Sequence, residues 1–372
     1  MSNITIGIVH NVPCAEKDYG AIASEDVLTQ VDIIDRTLKN LGYGTRQIPF
    51  TKNIEALCNI LREEKIDLIF NLCETVDEDA RLAGHPAALF ELLNIPFSGS
   101  PSLAIMMTTD KIMTKRLLSG KGIRTPGYLL YDGSGYFNSS SLKLPVILKP
   151  RYEDASVGIG QESVIEKEND LKDYLWRMYS QFGEIIVEEY VNGREFNVSV
   201  FGYPSPRIMP IAEIDFSKFP ERLHRIVGYK AKWDEDSFEY KNTQRLFDFD
   251  IEKSLLMEME RVSLQCFNYF SLRDYGRIDM RVDNQKRIYV IEINANPCLS
   301  PDAGFPASLA YGDINYSSML QSFVQYMNCR VKNEHTKSCF KRPKEGIENY
   351  RRGGQLYGKG NKGCHGGSRP VL

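Results

Sequence analysis

The chain has 372 residues, 42% of them hydrophobic and 26% charged, with a formal net charge of −3. Such a chain can bury a substantial core in two or three domains, and without a basic excess it carries no global field for nucleic acid. No apolar run reaches the length of a membrane span, and the start, MSNITIGIVH, enters a strand-like run without a basic leader, so no secretory signal is expected.

Ile4 to His10 reads as a first strand. A helix follows, with Val27, Val31, Ile34, Leu38 and Leu41 on one face, Ser24 as its N-cap and Gly42 at its end. TRQIPF reads as a second strand, residues 53–64 as a helix and Ile66 to Leu72 as a third strand, with a further helix from about Asp79 to Leu93. Strand and helix in alternation predict a parallel sheet with crossover helices. The pattern changes after IPFSGSP. A short helix over DKIMTKRLLSGKGI, a strand Leu144 to Pro150, the small-residue loop RYEDASVGIG, a strand near 161–165, a helix near 168–180 and the strand EIIVEEYV predict a second, α+β unit. From Gly193 a strand-rich third unit begins, with REFNVSVFG, RIMPIAEIDF, a long helix from Ile251 to Phe270, a hairpin over 275–294 and a closing helix over INYSSMLQSFVQYM.

Residues 331–372 hold ten Lys/Arg against three Asp/Glu, with eight Gly. That composition cannot bury much surface and predicts a disordered basic tail. The tail reads as a solvated appendage or as a docking arm for an acidic partner. The eight cysteines are scattered, without a CxxC pair. They read as reduced thiols of a cytoplasmic protein, and their spacing gives no zinc site.

The hairpin YGRIDMRVDNQKRIYVIEINANP carries the clearest chemistry. An even turn at Asn284-Gln285, or over 283–286, pairs Arg277 with Glu292 and Asp279 with Val290. Arg277, Asp279, Glu292 and Asn294 then share one face, because residues two apart point the same way. Ile278, Met280, Ile291 and Ile293 take the other face, toward a core. Two carboxylates, an amide and a guanidinium suit a hard cation beside a phosphate. An exposed face with surface ion pairs is the other reading of the same pattern, and both stay open on the pattern alone.

PVILKP, EEYVNGREF, GYKAKW, GRIDMRV and VIEINANP, in this order and at these separations, resemble the ATP-grasp ligases, and within them the D-alanine–D-alanine ligases. The likeness extends upstream through FNLCETVDEDARLAGHPAALFELLNIPFSGS and TTDKIMTK. The resemblance implies an α/β and α+β chain with the ATP-grasp fold. Its expected parts are an N-terminal Rossmann-like domain (1–98), a central lid domain (99–187), a C-terminal catalytic domain (188–330) and the tail (331–372). It implies ATP and Mg²⁺, or Mn²⁺, as cofactors. Asp279, Glu292 and Asn294 would be the metal ligands, with Glu292 bridging. Lys111, Lys149, Glu188, Tyr190, Val191, Glu195 and Lys232 would bind the nucleotide. Arg277, Lys232 and Ser156, the last in the lid loop Asp154 to Gly160, would be catalytic. The implied reaction activates a carboxylate as an acyl phosphate and lets an amine displace phosphate, by positioning and charge neutralisation. Small carboxylate and amine substrates and a possible homodimer are expected, with no nucleic acid or membrane partner.

The substrate side departs from the family. Ala155 replaces a lid serine and Trp233 a mobile-loop tyrosine, while Cys73-Glu74 replaces a His-Gly pair. Cys298 replaces a glycine beside the expected oxyanion, and a buried small thiol is the better reading of it than a nucleophile. Glu25 is the candidate N-terminal acid, or simply a first-turn helix acid. Ser308-Leu309 stands in for a Ser-Leu pair that holds a substrate carboxylate. Three functions follow, namely a carboxylate–amine ligase on amino acids or small peptides, D-alanine–D-alanine ligase itself, or a non-catalytic ATP-binding protein.

Overall fold

In the computed structural model, which describes residues 4–13, 21–134 and 137–338, β1 (Thr5–Asn11) is the centre of the first sheet. Ile6, Ile8 and Val9 are fully buried, as a parallel strand covered on both faces requires. α1 (Ala21–Asn40) turns Val27, Val31, Ile34 and Leu38 inward and ends before Gly42, whose φ of +89° suits glycine. The helix starts by Ala21, so Ser24 lies inside it and not at its cap, a capping preference of about 1 kcal/mol being too weak to set the boundary. β2 (Gly44–Phe50), α2 (Ile54–Glu63), capped by Asn53, and β3 (Leu68–Leu72) complete a parallel sheet in the order β2-β1-β3.

The helix expected over 79–93 is broken. A single 3-10 turn covers Ala80–Leu82, and α3 (His85–Leu93) starts after Gly84. A Cβ on Gly84 would stand 2.5 Å from Met106 Cγ, so glycine lets α4 (Ser102–Thr109) pack close. That helix escapes a sequence reading because its face has no clear periodicity. α5 (Lys111–Gly120) follows, with the Asp110 carboxylate accepting from the Ile112 and Met113 amides.

The second sheet is antiparallel. β4 (Tyr128–Tyr131), β5 (Val146–Pro150), β6 (Val164–Ile165) and, after α6 (Glu168–Phe182), β7 (Ile185–Glu189) take the order β4-β7-β5-β6. α6 buries Leu171, Tyr174, Leu175 and Met178 on its inner face.

The third sheet holds β8 (Gly193–Gly202), β9 (Arg207–Ile208), β10 (Ala212–Ile214), β11 (Arg245–Leu246), β12 (Asp274–Asp283) and β13 (Ile288–Asn294). Its order is β11-β10-β8-β12-β13, with β9 also on β8. Two short helices, α7 (Tyr229–Trp233) and α8 (Phe238–Lys241), lie between β10 and β11. The core face packs on α9 (Lys253–Tyr269) through Met259, Val262, Cys266 and Phe267. α10 (Gly304–Tyr311) and α11 (Tyr316–Ser338) close the core, where Met319, Phe323 and Met327 join Ile6, Ile8 and Phe70 in one cluster. α11 runs past the boundary expected at 330, and the rest of the basic segment lies outside the described residues. Among the described residues no helix is long and apolar enough to cross a membrane.

The hairpin of β12 and β13 differs in register from the expectation. Asp283 N–H bonds to Arg287 O, enclosing the odd loop 284–286 with Lys286 at φ +60°. An odd loop alone would turn Glu292 and Asn294 toward the core. The bulge between Asp279 and Met280 cancels that shift, because β13 spends one extra residue, Ile291, between the pairs Met280–Val290 and Asp279–Glu292. Arg277 therefore faces Asn294, not Glu292, and Asp279 faces Glu292, not Val290. Val290 enters the core, while Ile291, expected there, is half-buried and lines a cavity.

One buried ion pair ties α11 to this sheet. Asp274, fully covered, accepts from Arg330 Nη1 at 2.6 Å, Arg330 Nη2 at 3.1 Å and Gly99 N at 3.0 Å. Removing one partner strands a buried charge, so Asp274→Asn is expected to cost about 3–5 kcal/mol in urea denaturation. A variant as stable as wild type would show the pair to be dispensable.

Candidate active site

A cavity of about 510 Å³ opens between the second and third sheets. Lys111, Lys149, Ser156, Glu188, Tyr190, Val191, Glu195, Lys232, Trp233, Arg277, Asp279, Glu292, Asn294 and Cys298 all line it. Of the residues expected at the site, only Glu25 and Ser308 fall outside that lining.

The floor is the polar face of β12 and β13. Asp279 holds Arg277 by two parallel bonds, Nε to Oδ1 and Nη2 to Oδ2, both 2.8 Å. Asn197 Nδ2 donates to Oδ1 at 2.8 Å and Asn294 Nδ2 to Oδ2 at 3.2 Å. Arg277 is thus fixed in plane and stays charged, because the Asp279 carboxylate outweighs the burial that would discharge it. Glu292 sits among cations. Burial alone would raise its pKa, but Lys111, Lys232, Lys149 and Arg277 overcome that and hold the carboxylate below its ordinary range.

The wall from β5 and β7 carries a second charge cluster. Glu188, 1% exposed, lies 3.2 Å from Lys149 Nζ and 3.3 Å from Lys115 Nζ. Burial pushes Glu188 up, and the two lysines bring it below normal. Tyr190 and Val191 follow where β7 ends. Arg281 stacks on the Tyr190 ring at 5.1 Å, donates to Val191 O at 2.8 Å and binds Glu195 Oε2 at 2.6 Å.

The loop over 154–160 forms the roof. Ala155 and Ser156 have φ of +54° and +62°, a strained pair held by outside contacts. Ser156 Oγ donates to Val227 O at 2.7 Å, and Tyr229 N to Ile159 O at 2.7 Å. Trp233 Nε1 donates to Ala155 O at 3.0 Å, so the two residues that depart from the expected pair still meet, through indole and backbone. Lys111 Nζ bonds Glu153 O and lies 3.6 Å from Asp154 Oδ1. The same latch carries Lys232 into the cavity on α7, where burial, then Arg277, lowers its pKa.

The far end is built from α1 and the 298–304 loop. Glu25 is exposed, since the apolar face of α1 turns it outward, and its neighbour Asp26 lines the cavity instead. Asp26 accepts from Cys298 Sγ at 3.3 Å, Ser300 Oγ at 3.2 Å and Gln30 Nε2 at 3.1 Å. Ser308 is buried in α10 and donates to Pro210 O at 2.6 Å, so it cannot hold a substrate from there. Burial, then Asp26 and Glu74, raise the Cys298 thiol, which is thus a poor nucleophile. Glu74 is pushed up to about 8 by burial, then by Asp154 and Asp26.

A family profile described as D-ala D-ala ligase C-terminus matches residues 134–325, more than half of the sequence. The chain belongs to this family. A D-alanine–D-alanine ligase of Carboxydothermus hydrogenoformans is 29% identical over 79% of this chain and 90% of its own. An uncharacterized protein of Sinorhizobium fredii is 26% identical over 71% of this chain and 75% of its own. In fold the chain resembles the D-alanine–D-alanine ligase from Bacillus anthracis solved complexed with ATP, with a TM-score of 0.70 at 21% identity, over 89% of this chain and 99% of that one. This member of the D-ala D-ala ligase family is an ATP-dependent ligase with the ATP-grasp fold that forms carbon–nitrogen bonds.

The donor set fits what the family uses. Lys111, Lys149, Lys232 and Arg277 on one cavity call for a polyanion such as a nucleotide's phosphates. Among the described residues no group of three or more His, Cys, Asp or Glu is placed to hold a metal ion. A Mg²⁺ ion held by one or two carboxylates and completed by phosphate and water would not need such a group. Glu292 and the uncommitted amide oxygen of Asn294 suit it. Both Asp279 oxygens already accept two donors each, so Asp279 can ligate an ion only if Asn197, Asn294 or Arg277 lets go.

Sequence reading missed Asp26 and Lys115, and marked Glu74 only as a departure from the family's His-Gly pair. Lys115 was within reach, standing four residues after Lys111 on the same helix face. It is 1% exposed, and burial pulls its pKa down to about 8 despite Glu188. Between about pH 8 and the unfolded value near 10.5, the unfolded chain holds a proton that the folded chain has released. Stability from this group is therefore low below pH 8 and rises toward pH 10.5. In denaturation series, wild type is expected to gain on Lys115→Met across that window. A constant difference between the two would contradict the shift.

Proposed function

We propose that the protein activates a carboxylate as an acyl phosphate and joins it to an amine, on amino acid or small peptide substrates. The convergence of Lys111, Lys149, Lys232 and Arg277 around Glu292 in one cavity carries this reading. ATP supplies the phosphoryl group, and Mg²⁺ supplies the charge that lets phosphate oxygens stand against Glu292.

The chain's residues divide the remaining work. Lys149 and Lys111 hold phosphate from two sides, with Lys149 steadied by Glu188. Tyr190, Val191 and Glu195 line the nucleotide end, where Glu195 keeps one carboxylate oxygen free of Arg281 for a hydroxyl. Lys232 and Arg277 neutralise charge that builds at the reacting carboxylate. The roof loop, with Ser156 bound to Val227, keeps water out. Asp26 takes a substrate ammonium, the role first expected of Glu25. The working units behind this arrangement are residues 1–98, 99–187 and 188–330.

A narrower reading, D-alanine–D-alanine ligase, is favoured by the relatives of that name. Ala155, Trp233, Glu74 and Cys298 at the substrate end favour a broader substrate class. ADP release from ATP is measured against pooled D- and L-amino acids and dipeptides. Release with D-alanine alone supports the narrower reading, release with other pools the broader one, and silence with every pool overturns both. Glu292→Gln is expected to lower turnover on the order of 10²-fold or more, the scale of a single charge-stabilising group, with an unchanged circular dichroism spectrum. Normal turnover would remove Glu292 from the reaction.

A further inference from the structure

We propose that Thr125 is a positioning residue for the metal ion: it pins the bulge of β13, and so the aim of Glu292, to the buried Lys115–Glu188 pair of the nucleotide wall. The inference rests on the reading above that Glu292 and Mg²⁺ work together, and it adds what holds Glu292 in place.

Glu292 reaches the cavity only because β13 spends Ile291 as an extra residue. β13 is also the outer strand of the third sheet, so β12 fixes it from one side alone. A slip of one residue there would send Glu292 and Asn294 toward the core. The connector between α5 and β4 takes the place of a further strand. Val290, the last residue before the extra one, donates its amide to Arg124 O at 2.9 Å, and its carbonyl accepts from Thr125 Oγ1 at 2.9 Å. Both main-chain groups of Val290 are thus held from outside the sheet. Pro126 follows Thr125 and disfavours helical backbone at 125, which keeps the connector extended along this edge.

The Thr125 hydroxyl is not free to turn elsewhere. Lys115 Nζ donates to it at 2.9 Å, and an ammonium has donors and no acceptor. Thr125 Oγ1 therefore accepts from Lys115 and spends its single proton on Val290 O. Lys115, 1% exposed, lies 3.3 Å from Glu188 Oε1, and Glu188 Oε2 lies 3.2 Å from Lys149 Nζ. One line of ion pairs and hydrogen bonds thus runs through Lys149, Glu188, Lys115 and Thr125 to Val290 O, with Glu292 two residues on. The members of a buried line of this kind polarise one another and act as a unit. Thr125 does not line the cavity, so it acts through Glu292 and not on a ligand.

The test measures ADP affinity by titration calorimetry, in EDTA and again in MgCl₂, for wild type, Thr125→Val, Thr125→Ser, Glu292→Gln, Lys115→Met and the double variant of Thr125→Val with Lys115→Met. Affinity in EDTA reads the nucleotide pocket and the fold, and the gain on adding Mg²⁺ reads the metal site. Thr125→Val keeps the shape of threonine without its hydroxyl. It is expected to hold ADP in EDTA within about twofold of wild type and to lower the gain from Mg²⁺ by about fivefold to tenfold, the scale of one hydrogen bond. Thr125→Ser should keep the gain. Lys115→Met should lower it as Thr125→Val does and add no further loss in the double variant, since both changes break one line. An undiminished gain in Thr125→Val, an equal loss in Thr125→Ser, additive losses in the double variant, or lost ADP affinity in EDTA for Thr125→Val would each overturn the proposal. Glu292→Gln should abolish the gain. A gain retained there overturns the metal reading itself, whereas a gain lost there and kept in Thr125→Val overturns the positioning role alone.

Discussion

Asp279 and Glu292 stand directly opposite each other in an antiparallel ladder, where like charges normally repel. The rest of the site can be understood as the means by which the fold tolerates that pair. Arg277 takes both oxygens of Asp279, and Lys111, Lys149 and Lys232 surround Glu292. These cations come from α5, β5, α7 and β12, so the charge balance of one hairpin draws on all parts of the chain around the cavity. Lys149 also meets Glu188 and Lys111 lies 3.6 Å from Asp154, so the cations and acids of the cavity form one interleaved network rather than isolated pairs.

The bulge at Ile291 makes the pair possible. Without it, the odd loop of the hairpin would turn Glu292 and Asn294 into the core and leave their charge and amide uncompensated. With it, Met280 and Val290 stay in the core while Asp279 and Glu292 reach the cavity. The roof follows a similar logic, since two strained residues, Ala155 and Ser156, persist because Val227 and Trp233 hold them from the other side. Strain of this kind is retained where a loop must lie close to a ligand.

The two ends of the cavity differ in how far they depend on the family's residues. At the nucleotide end, lysines and acids are paired and fixed, as Glu188 is between Lys149 and Lys115. At the substrate end the groups are less matched. Burial, then Asp154 and Asp26, raise the cost of ionising Glu74, and Arg245 has no ion-pair partner among the described residues. Groups left unmatched by the protein are the ones a substrate must satisfy, which is the physical basis for expecting specificity to be set there.

By itself the sequence determined most of the strand and helix order and the polar face of the hairpin, because those depend on local periodicity and on residue spacing within one segment. Even there the outcome on Arg277, Asp279, Glu292 and Asn294 was reached through the wrong register, two errors of one residue cancelling. Only the tertiary structure decided which acid of α1 faces the cavity, that Ser308 turns away from it, that Lys115 is buried against Glu188, and that Thr125 joins Lys115 to Val290. Each of these is set by segments distant in the chain meeting in space. A helix face rotated by one residue exchanges Glu25 for Asp26, and no local pattern records what the partner segment brings to the other side.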